Sequence, residues 1–200
     1  MKSFLALVVA SSLYLQTRSY PVTVPPIEVC TSPLPNCHAL ISFLKGRTED
    51  TCGFATVPLL RGYSPDATDH FYTTSASEME NAIRNDGYQS EGDAGQVFST
   101  QVTNSVPLYR LWSPSGRDHF YTTSESERDN AASELGYTYE GIAAYVYPSS
   151  QCGAVPLYRT ENPTIWDHFY TTDVEERNNA ITNLGYVDEG IAAYVIPNPE

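Results

Sequence analysis

The hexapeptide DHFYTT occurs three times in this chain, at residues 69–74, 118–123 and 167–172. Both intervals are 49 residues, so the hexapeptide marks one fixed place in a repeated unit. Outward from it, the copies begin at Val57, Val106 and Val155 and align without a gap, with 20 positions identical in all three. A period of this length is typical of repeat architectures, in which each unit buries its apolar face against its neighbours.

Each copy contains three segments that predict strands. The first is VPLYR or its variant, with proline near the start, where a missing N–H does least harm. The second is DHFYTT, whose aromatic and β-branched residues favour a strand hairpinned to the first through a proline-containing loop. The third is the closing segment GIAAYV of copies two and three, which copy one replaces with Asp93, Gly95 and Gln96 at three positions.

A helix of about ten residues is predicted between the second and third strands. Ser75 followed by Glu78 has the spacing of a capping box, and Gly87 suits a left-handed C-terminal cap. The equivalent residues are Ser124, Glu127, Gly136, Asp173, Glu176 and Gly185. Helical spacing predicts a buried face made of Met79, Ala82 and Ile83, together with Leu135 and Leu184 in the other copies.

The predicted fold is α+β and β-rich, built from three 49-residue ββαβ repeats. The repeats are residues 57–105, 106–154 and 155–200. Closure into a pseudo-threefold ring, propeller-like or trefoil-like, removes exposed strand edges, and no capping repeat marks either end. A short solenoid is the alternative arrangement.

The residues before the repeats predict export and an N-terminal arm. Residues 1–19 have a basic start and an apolar run of about 12 residues, which is typical of a signal peptide and too short for a membrane span of ~20. Residues 20–56 are a proline-rich arm with a short helix predicted at 36–46. We therefore expect a secreted, extracellular protein without membrane insertion.

Four cysteines fit an extracellular, disulfide-stabilised chain. Four cysteines allow three pairings, and none forms the C-x-x-C pair typical of zinc sites. Cys30 lies near Cys37, while Cys52 and Cys152 each lie just before a repeat begins. The favoured pairing is Cys30–Cys37 with Cys52–Cys152, and the other two pairings stay open.

Charge and motif content limit the function. Removal of the predicted signal peptide takes away Lys2 and Arg18, so 9 of the 11 basic residues remain against 24 acidic residues. The formal net charge is then −15. Such a chain repels phosphate backbones, so nucleic acid is a poor candidate partner. Three of the four histidines are repeat equivalents and no catalytic motif is present, whereas an active site needs one asymmetric constellation. A non-enzymatic binding protein is therefore expected.

Threefold duplication favours a binding site that gains avidity from several copies. Sugar recognition combines polar groups for hydroxyls with an aromatic ring for the apolar face of the sugar. The candidate ligand-binding residues are Asp69, His70, Tyr72, Asp118, His119, Tyr121, Asp167, His168, Tyr170, Arg61, Arg110, Arg159, Trp112 and Trp166, with Tyr63 as a further loop aromatic.

A structural role for the same residues is the alternative. Strand alternation puts Asp69 and Phe71 on one face and His70 and Tyr72 on the other, and both faces cannot be a pocket. Phe71 is expected to pack in the core. The aspartate could instead cap the hairpin loop or pair with the repeat arginine. The repeated glutamates, Glu91, Glu140 and Glu189, are weak candidates for a metal such as calcium, since no EF-hand pattern is present.

The pattern P-L-Y-R…P…D-H-F-Y-T-T…E-G-I-A-A-Y-V resembles a repeat domain of secreted fungal and bacterial proteins whose function is largely unknown. It is similar to the repeats of the oyster-mushroom type of fungal lectin and to units attached to extracellular bacterial hydrolases. The lectin resemblance implies a fungal protein that binds galactose or N-acetylgalactosamine-type glycans, with calcium as an open cofactor. If the closing strand takes part in binding, the departures in copy one impair its site.

The leading hypothesis is a secreted, carbohydrate-binding repeat protein with up to three related sites. The alternatives are a secreted effector that binds a protein partner and an accessory module related to extracellular hydrolases.

Overall fold

A computed structural model describes residues 51–199. The predicted signal peptide, the predicted helix at 36–46 and the predicted Cys30–Cys37 pair lie outside these residues. Among residues 51–199, no helix is long and apolar enough to cross a membrane.

Each repeat forms two strands, a helix and a third strand, as predicted. The elements are β1 Val57–Ser64, β2 Asp69–Thr73, α1 Ala76–Asn85, β3 Gln89–Val97, β4 Val106–Ser113, β5 Asp118–Thr122, α2 Glu125–Glu134, β6 Thr138–Val146, β7 Val155–Asn162, β8 Asp167–Thr171, α3 Val174–Asn183 and β9 Val187–Val195. The first strand of each repeat lies in the middle of a three-stranded antiparallel sheet, giving the orders β2-β1-β3, β5-β4-β6 and β8-β7-β9.

The contacts between the three sheets run in a closed cycle. The strands β2, β5 and β8 contact one another pairwise. At the ends of the closing strands, single bridges join Phe98 to Tyr145, Tyr147 to Tyr194 and Ile196 back to Gln96. Within residues 51–199 the sheets do not merge into one closed barrel, because each named sheet keeps only three strands.

Gly95 is required where the third repeat meets the first. A Cβ atom added there would lie 2.7 Å from Cγ2 of Val195, and the residue has a φ of +147°. The neighbouring Gln96 exchanges backbone hydrogen bonds with Ile196. Copy one therefore has glycine in place of the alanine of the GIAAYV pattern because only glycine leaves room for the third repeat to contact the first.

Three tyrosines fill the centre of the cycle. Tyr72, Tyr121 and Tyr170 are each 1% exposed, and their rings meet edge to face with centroids 5.4–5.5 Å apart. Leu59, Leu108 and Leu157 belong to the same cluster of buried side chains. Edge-to-face pairing is a favoured aromatic geometry, so one ring from each repeat stabilises the shared core.

The tyrosine hydroxyls also bond the strand edges that face the centre. The Tyr121 hydroxyl accepts the N–H of Tyr72 at 2.8 Å and donates to the carbonyl of Tyr72 at 2.7 Å. Tyr170 does the same for Tyr121, and Tyr72 does so for Tyr170. Because each inner strand pairs through its backbone only with its own repeat, these hydroxyls replace a missing neighbouring strand.

The predicted capping box forms only in part. Ser75 Oγ accepts the N–H of Glu78 at 3.2 Å, which is the N-cap half of the motif. The N–H of Ser75 donates to Thr73 Oγ1 at 3.0 Å instead of to Glu78. The glutamate is thereby left to accept from Thr73 and from an arginine of the next repeat. The Gly87 cap is confirmed by its φ of +78°.

The predicted buried face of the helices is wrong at its C-terminal end. Met79 and Ala82 are buried, and Phe71 packs with them beneath α1, as expected of a core phenylalanine. Ile83 is 40% exposed, and Leu135 and Leu184 are each 56% exposed. Each helix covers only one sheet, so the apolar stripe it buries is narrower than helical spacing predicted.

Tyr121→Phe tests the central hydroxyl cycle. The ring stays, but the buried N–H and carbonyl of Tyr72 lose their partner, and each such loss costs about 1–3 kcal/mol. We expect urea denaturation to show a loss of unfolding free energy of that order or more. The control is Tyr139→Phe, at a tyrosine that is 42% exposed. Equal effects in both variants would contradict the proposed role.

The disulfide Cys52–Cys152 is confirmed and joins chain segments 100 residues apart. Among residues 51–199 no cysteine is free. A crosslink over a loop of this length restricts the unfolded chain, which typically stabilises a protein by about 2–5 kcal/mol. We expect the double variant Cys52→Ser/Cys152→Ser to lose unfolding free energy in that range by urea denaturation. Dithiothreitol should lower the urea midpoint of the wild type more than that of the double variant, which keeps only Cys30 and Cys37; an unaltered midpoint in the variant would contradict this assignment.

Candidate functional site

The aspartate of DHFYTT joins neighbouring repeats. Asp69 accepts the backbone N–H of His119 at 2.7 Å and the ring Nδ1–H of His119 at 2.6 Å. It also accepts the hydroxyl of Tyr88 from its own repeat. The equivalent sets are Asp118 with His168 and Tyr137, and Asp167 with His70 and Tyr186. Each carboxylate therefore bonds an otherwise unpaired strand edge of the next repeat.

The structure contradicts the predicted ligand contacts of the aspartate and of the central tyrosine in each repeat. The three aspartates are 0–1% exposed and the three central tyrosines 1% exposed, so neither set can touch a ligand. Both faces of β2 are covered, since all five of its residues are buried. The second face is covered because the inner strands of the other two sheets lie across it.

The three buried carboxylates also approach one another. One oxygen each of Asp69, Asp118 and Asp167 lies within 4.8 Å of the other two. Each carboxylate already accepts three hydrogen bonds from histidine and tyrosine groups, so the cluster is explained by the joints it makes.

Electrostatics at the joint between the second and third repeats favour the ionised pair. Burial acts to raise the pKa of Asp118, but the hydrogen bonds and charge of His168 and the hydroxyl of Tyr137 outweigh it, so that pKa is lowered. Burial acts to lower the pKa of His168, but Asp118, Glu189 and Glu161 outweigh it, so that pKa is raised. Burial also raises the pKa of Tyr72, Tyr121 and Tyr170 well above its usual range, which keeps their hydroxyls as donors.

A second joint uses the repeat arginine. Arg110 makes a bidentate pair with Glu78 of the preceding helix, with Nη1–Oε2 and Nη2–Oε1 distances of 3.1 and 2.9 Å. Its Nε lies 2.8 Å from Oε2 of Glu140, and its guanidinium lies over the ring of Phe71. The equivalent arginines are Arg61 with Glu176 and Glu91, and Arg159 with Glu127 and Glu189.

Within residues 51–199, grooves open between consecutive repeats above these joints. Groove 1, between the first and second repeats, encloses about 390 Å³ and is lined by Ala67, Phe71, Glu78, Asn81, Ala82, Asp86, Tyr88, Arg110, Trp112, His119 and Glu140. Groove 2, between the second and third, encloses about 570 Å³ and is lined by Phe120, Glu127, Asn130, Ala131, Glu134, Leu135, Tyr137, Glu161, Trp166, His168 and Glu189. Nine of the eleven positions are equivalent between the two, and seven of these nine carry the same residue, so the duplicated feature is the groove.

The grooves bring together some of the predicted residues. His119, Arg110 and Trp112 line groove 1, while His168 and Trp166 line groove 2. The two tryptophans are not equivalent, because Trp112 lies in β4 and Trp166 lies in the loop between β7 and β8. Tyr63 stands at the place of Trp112 and stacks on His70 with centroids 4.6 Å apart.

The predicted metal ligands Glu91, Glu140 and Glu189 are engaged by arginine. Each lies 2.8–3.0 Å from the Nε atom of an arginine in its own repeat. Their side chains remain 26–32% exposed, and Glu140 and Glu189 line the grooves. No calcium-binding role is assigned to them by this geometry.

The sequence-based prediction missed the helix side of the grooves. Asn81 and Asn130 lie on the helices and face the cavities. The same asparagine recurs as Asn179 in the third repeat, just before the buried alanine. This threefold identity on an exposed helix position was the signal that could have identified it.

Comparison with known families gives one finding. The model of DUF5648, a domain of unknown function, matches residues 58–196. The match spans the three repeats almost from end to end. No curated protein and no solved structure matches the chain.

The arginine joints predict loss of stability in acid. Burial acts to raise the pKa of Glu78, Glu127 and Glu176, but hydrogen bonds from arginine and threonine outweigh it, and each pKa lies below its ordinary 4.5. Below pH 4.5 the unfolded chain therefore binds more protons than the folded one, and stability falls. We expect the urea midpoint to drop as pH falls below 4.5. In Glu78→Gln the drop should be smaller; an identical acid profile would contradict this contribution.

Proposed function

The chain belongs to the DUF5648 family, and we propose that it is a secreted, non-enzymatic, carbohydrate-binding protein of the lectin type. Its sugar sites in this proposal are the grooves between consecutive repeats. The single observation that carries it is groove 1, where a half-buried indole, an asparagine and three carboxylates line one cavity.

The size and chemistry of groove 1 support a small polar ligand. Its volume of about 390 Å³ lies in the range of small-molecule sites. Trp112 stacks on His119 with centroids 4.5 Å apart, which holds the indole at the wall. Asn81 offers both a donor and an acceptor, and Asp86 and Glu140 offer acceptors. An aromatic surface beside hydroxyl-binding groups is the combination that sugar rings require.

The pseudo-threefold ring, propeller-like or trefoil-like, is part of the proposal. The pairwise contacts of β2, β5 and β8 and the three bridges between closing strands support it. A ring places related grooves around one body, and a multivalent glycan surface would then be bound with avidity. The disulfide is compatible with secretion.

The proposal assigns no catalytic role to the aspartate–histidine pairs. They are equivalent in all three repeats, and each aspartate is buried and bonds a neighbouring strand edge. A protein-binding role is the second candidate. It is favoured by exposed apolar side chains on the closing strands of the second and third repeats: Tyr139, Ile142, Val187 and Ile191.

The test is a glycan array on the purified protein, with calcium and with EDTA, followed by calorimetry on the best ligand. Trp112→Ala should abolish glycan binding at groove 1 or lower its affinity about tenfold, which corresponds to a loss of about 1.4 kcal/mol of binding free energy. Trp112→Tyr copies the first repeat, which has Tyr63 at this place, and should retain binding.

Two results would overturn the proposal. One is an array without binding under both conditions. The other is a Trp112→Ala variant that folds and binds the glycan with unchanged affinity and stoichiometry. A single protein captured reproducibly, with no glycan bound, would favour the second candidate.

A further inference from the structure

One position breaks the equivalence of the three repeats beside the histidine. It is Tyr63 in the first repeat, Trp112 in the second and Glu161 in the third. The two aromatic rings stack on the histidine of their own repeat, His70 and His119. In the third repeat a carboxylate replaces the ring, directly across the strand pair from His168.

The replacement creates a set of three ligand-type side chains. One atom each from Glu161, His168 and Glu189 lies within 4.8 Å of the other two. Nε2 of His168 lies 3.7 Å from Oε2 of Glu189. Imidazole nitrogen with two carboxylate oxygens is a donor set suited to zinc and similar divalent transition metals. The other repeats have an aromatic residue in place of the second carboxylate.

The histidine is oriented as a metal ligand is. His168 is 8% exposed, and its Nδ1–H donates to Asp118 at 2.7 Å, which leaves Nε2 directed towards the two glutamates. A metal ion bound at Nε2 displaces the proton that this nitrogen carries in the ionised pair and releases it to solvent. Among residues 51–199, Nε2 has no hydrogen-bond partner. Ligating histidines usually donate their other N–H to a carboxylate, which fixes the tautomer and the ring.

The surroundings leave room for an ion and its further ligands. All three side chains line groove 2, whose volume of about 570 Å³ can hold water as a fourth ligand. Arg159 is the nearest positive charge, with its Nε 2.9 Å from Oε2 of Glu189. Both of its Nη groups pair with Glu127, so its charge is already matched.

We propose that Glu161, His168 and Glu189 form a binding site for one divalent transition-metal ion such as Zn²⁺, present in groove 2 alone. The site lies apart from groove 1, the cavity whose lining carries the glycan proposal. It gives the third repeat a property that the other two lack.

The test is calorimetric titration of the EDTA-treated full chain with Zn²⁺ alone. We expect one site in the wild type that Glu161→Gln weakens at least tenfold. Glu161→Trp, which copies the second repeat, should have the same effect. The matched control is Glu134→Gln, which removes another carboxylate from the same groove and should leave the affinity unchanged.

The reciprocal variant is Trp112→Glu, which gives groove 1 the same three side-chain types, with His119 and Glu140. We expect it to bind a second Zn²⁺ ion. The proposal is overturned if the wild type binds no Zn²⁺ at micromolar concentration. It is equally overturned if Glu161→Gln and Glu134→Gln bind Zn²⁺ as the wild type does, since binding would then lie elsewhere.

Discussion

The structure depends on how the inner strands satisfy their outward backbone groups. In each repeat the DHFYTT strand pairs with one neighbour only, and its second edge faces the centre of the molecule. Unpaired buried N–H and carbonyl groups cost several kcal/mol together. Side chains from adjacent repeats bond them instead. An aspartate accepts the backbone N–H of the histidine, and a tyrosine hydroxyl bonds the backbone N–H and carbonyl of the hexapeptide tyrosine.

This arrangement explains why the hexapeptide is repeated without change. A tyrosine in one repeat completes the edge of another, and the same holds for the aspartate. Substitution of either residue in one copy therefore leaves a buried backbone group of another repeat without its hydrogen-bond partner. The arginine joints add a second cycle, in which the helix glutamate of one repeat meets the arginine of the next. The grooves lie above these joints, so their walls are held by both cycles.

Local patterns predicted the elements of the fold well. Proline position, the serine N-cap and the glycine C-cap each depend on nearby residues, and the strands and helices followed from them. Cys52–Cys152 belonged to the favoured one of three open pairings, and the structure confirms it. The central place of Tyr72 could not be predicted in this way. Alternation tells which residues share a face, but it does not tell that the helix covers one face and the other two sheets cover the second. For the same reason, strand alternation could not predict that Asp69 joins two repeats and does not contact a ligand.

The candidate site was predicted in part. Trp112 and His119 were identified, whereas Asn81 was overlooked because the helix was read only for its buried face. Glu161 could not be predicted from the repeat pattern, because neither of the other repeats has a carboxylate at that position.

The most direct test of this account is hydrogen exchange of individual backbone amides by NMR. The amides of Tyr72, Tyr121 and Tyr170 face no partner strand, and each is bonded only by a hydroxyl from another repeat. We predict that all three exchange only through global unfolding, as slowly as amides in the central strands. Fast exchange at these positions in the native protein would contradict the claim that side chains hold the three repeats together.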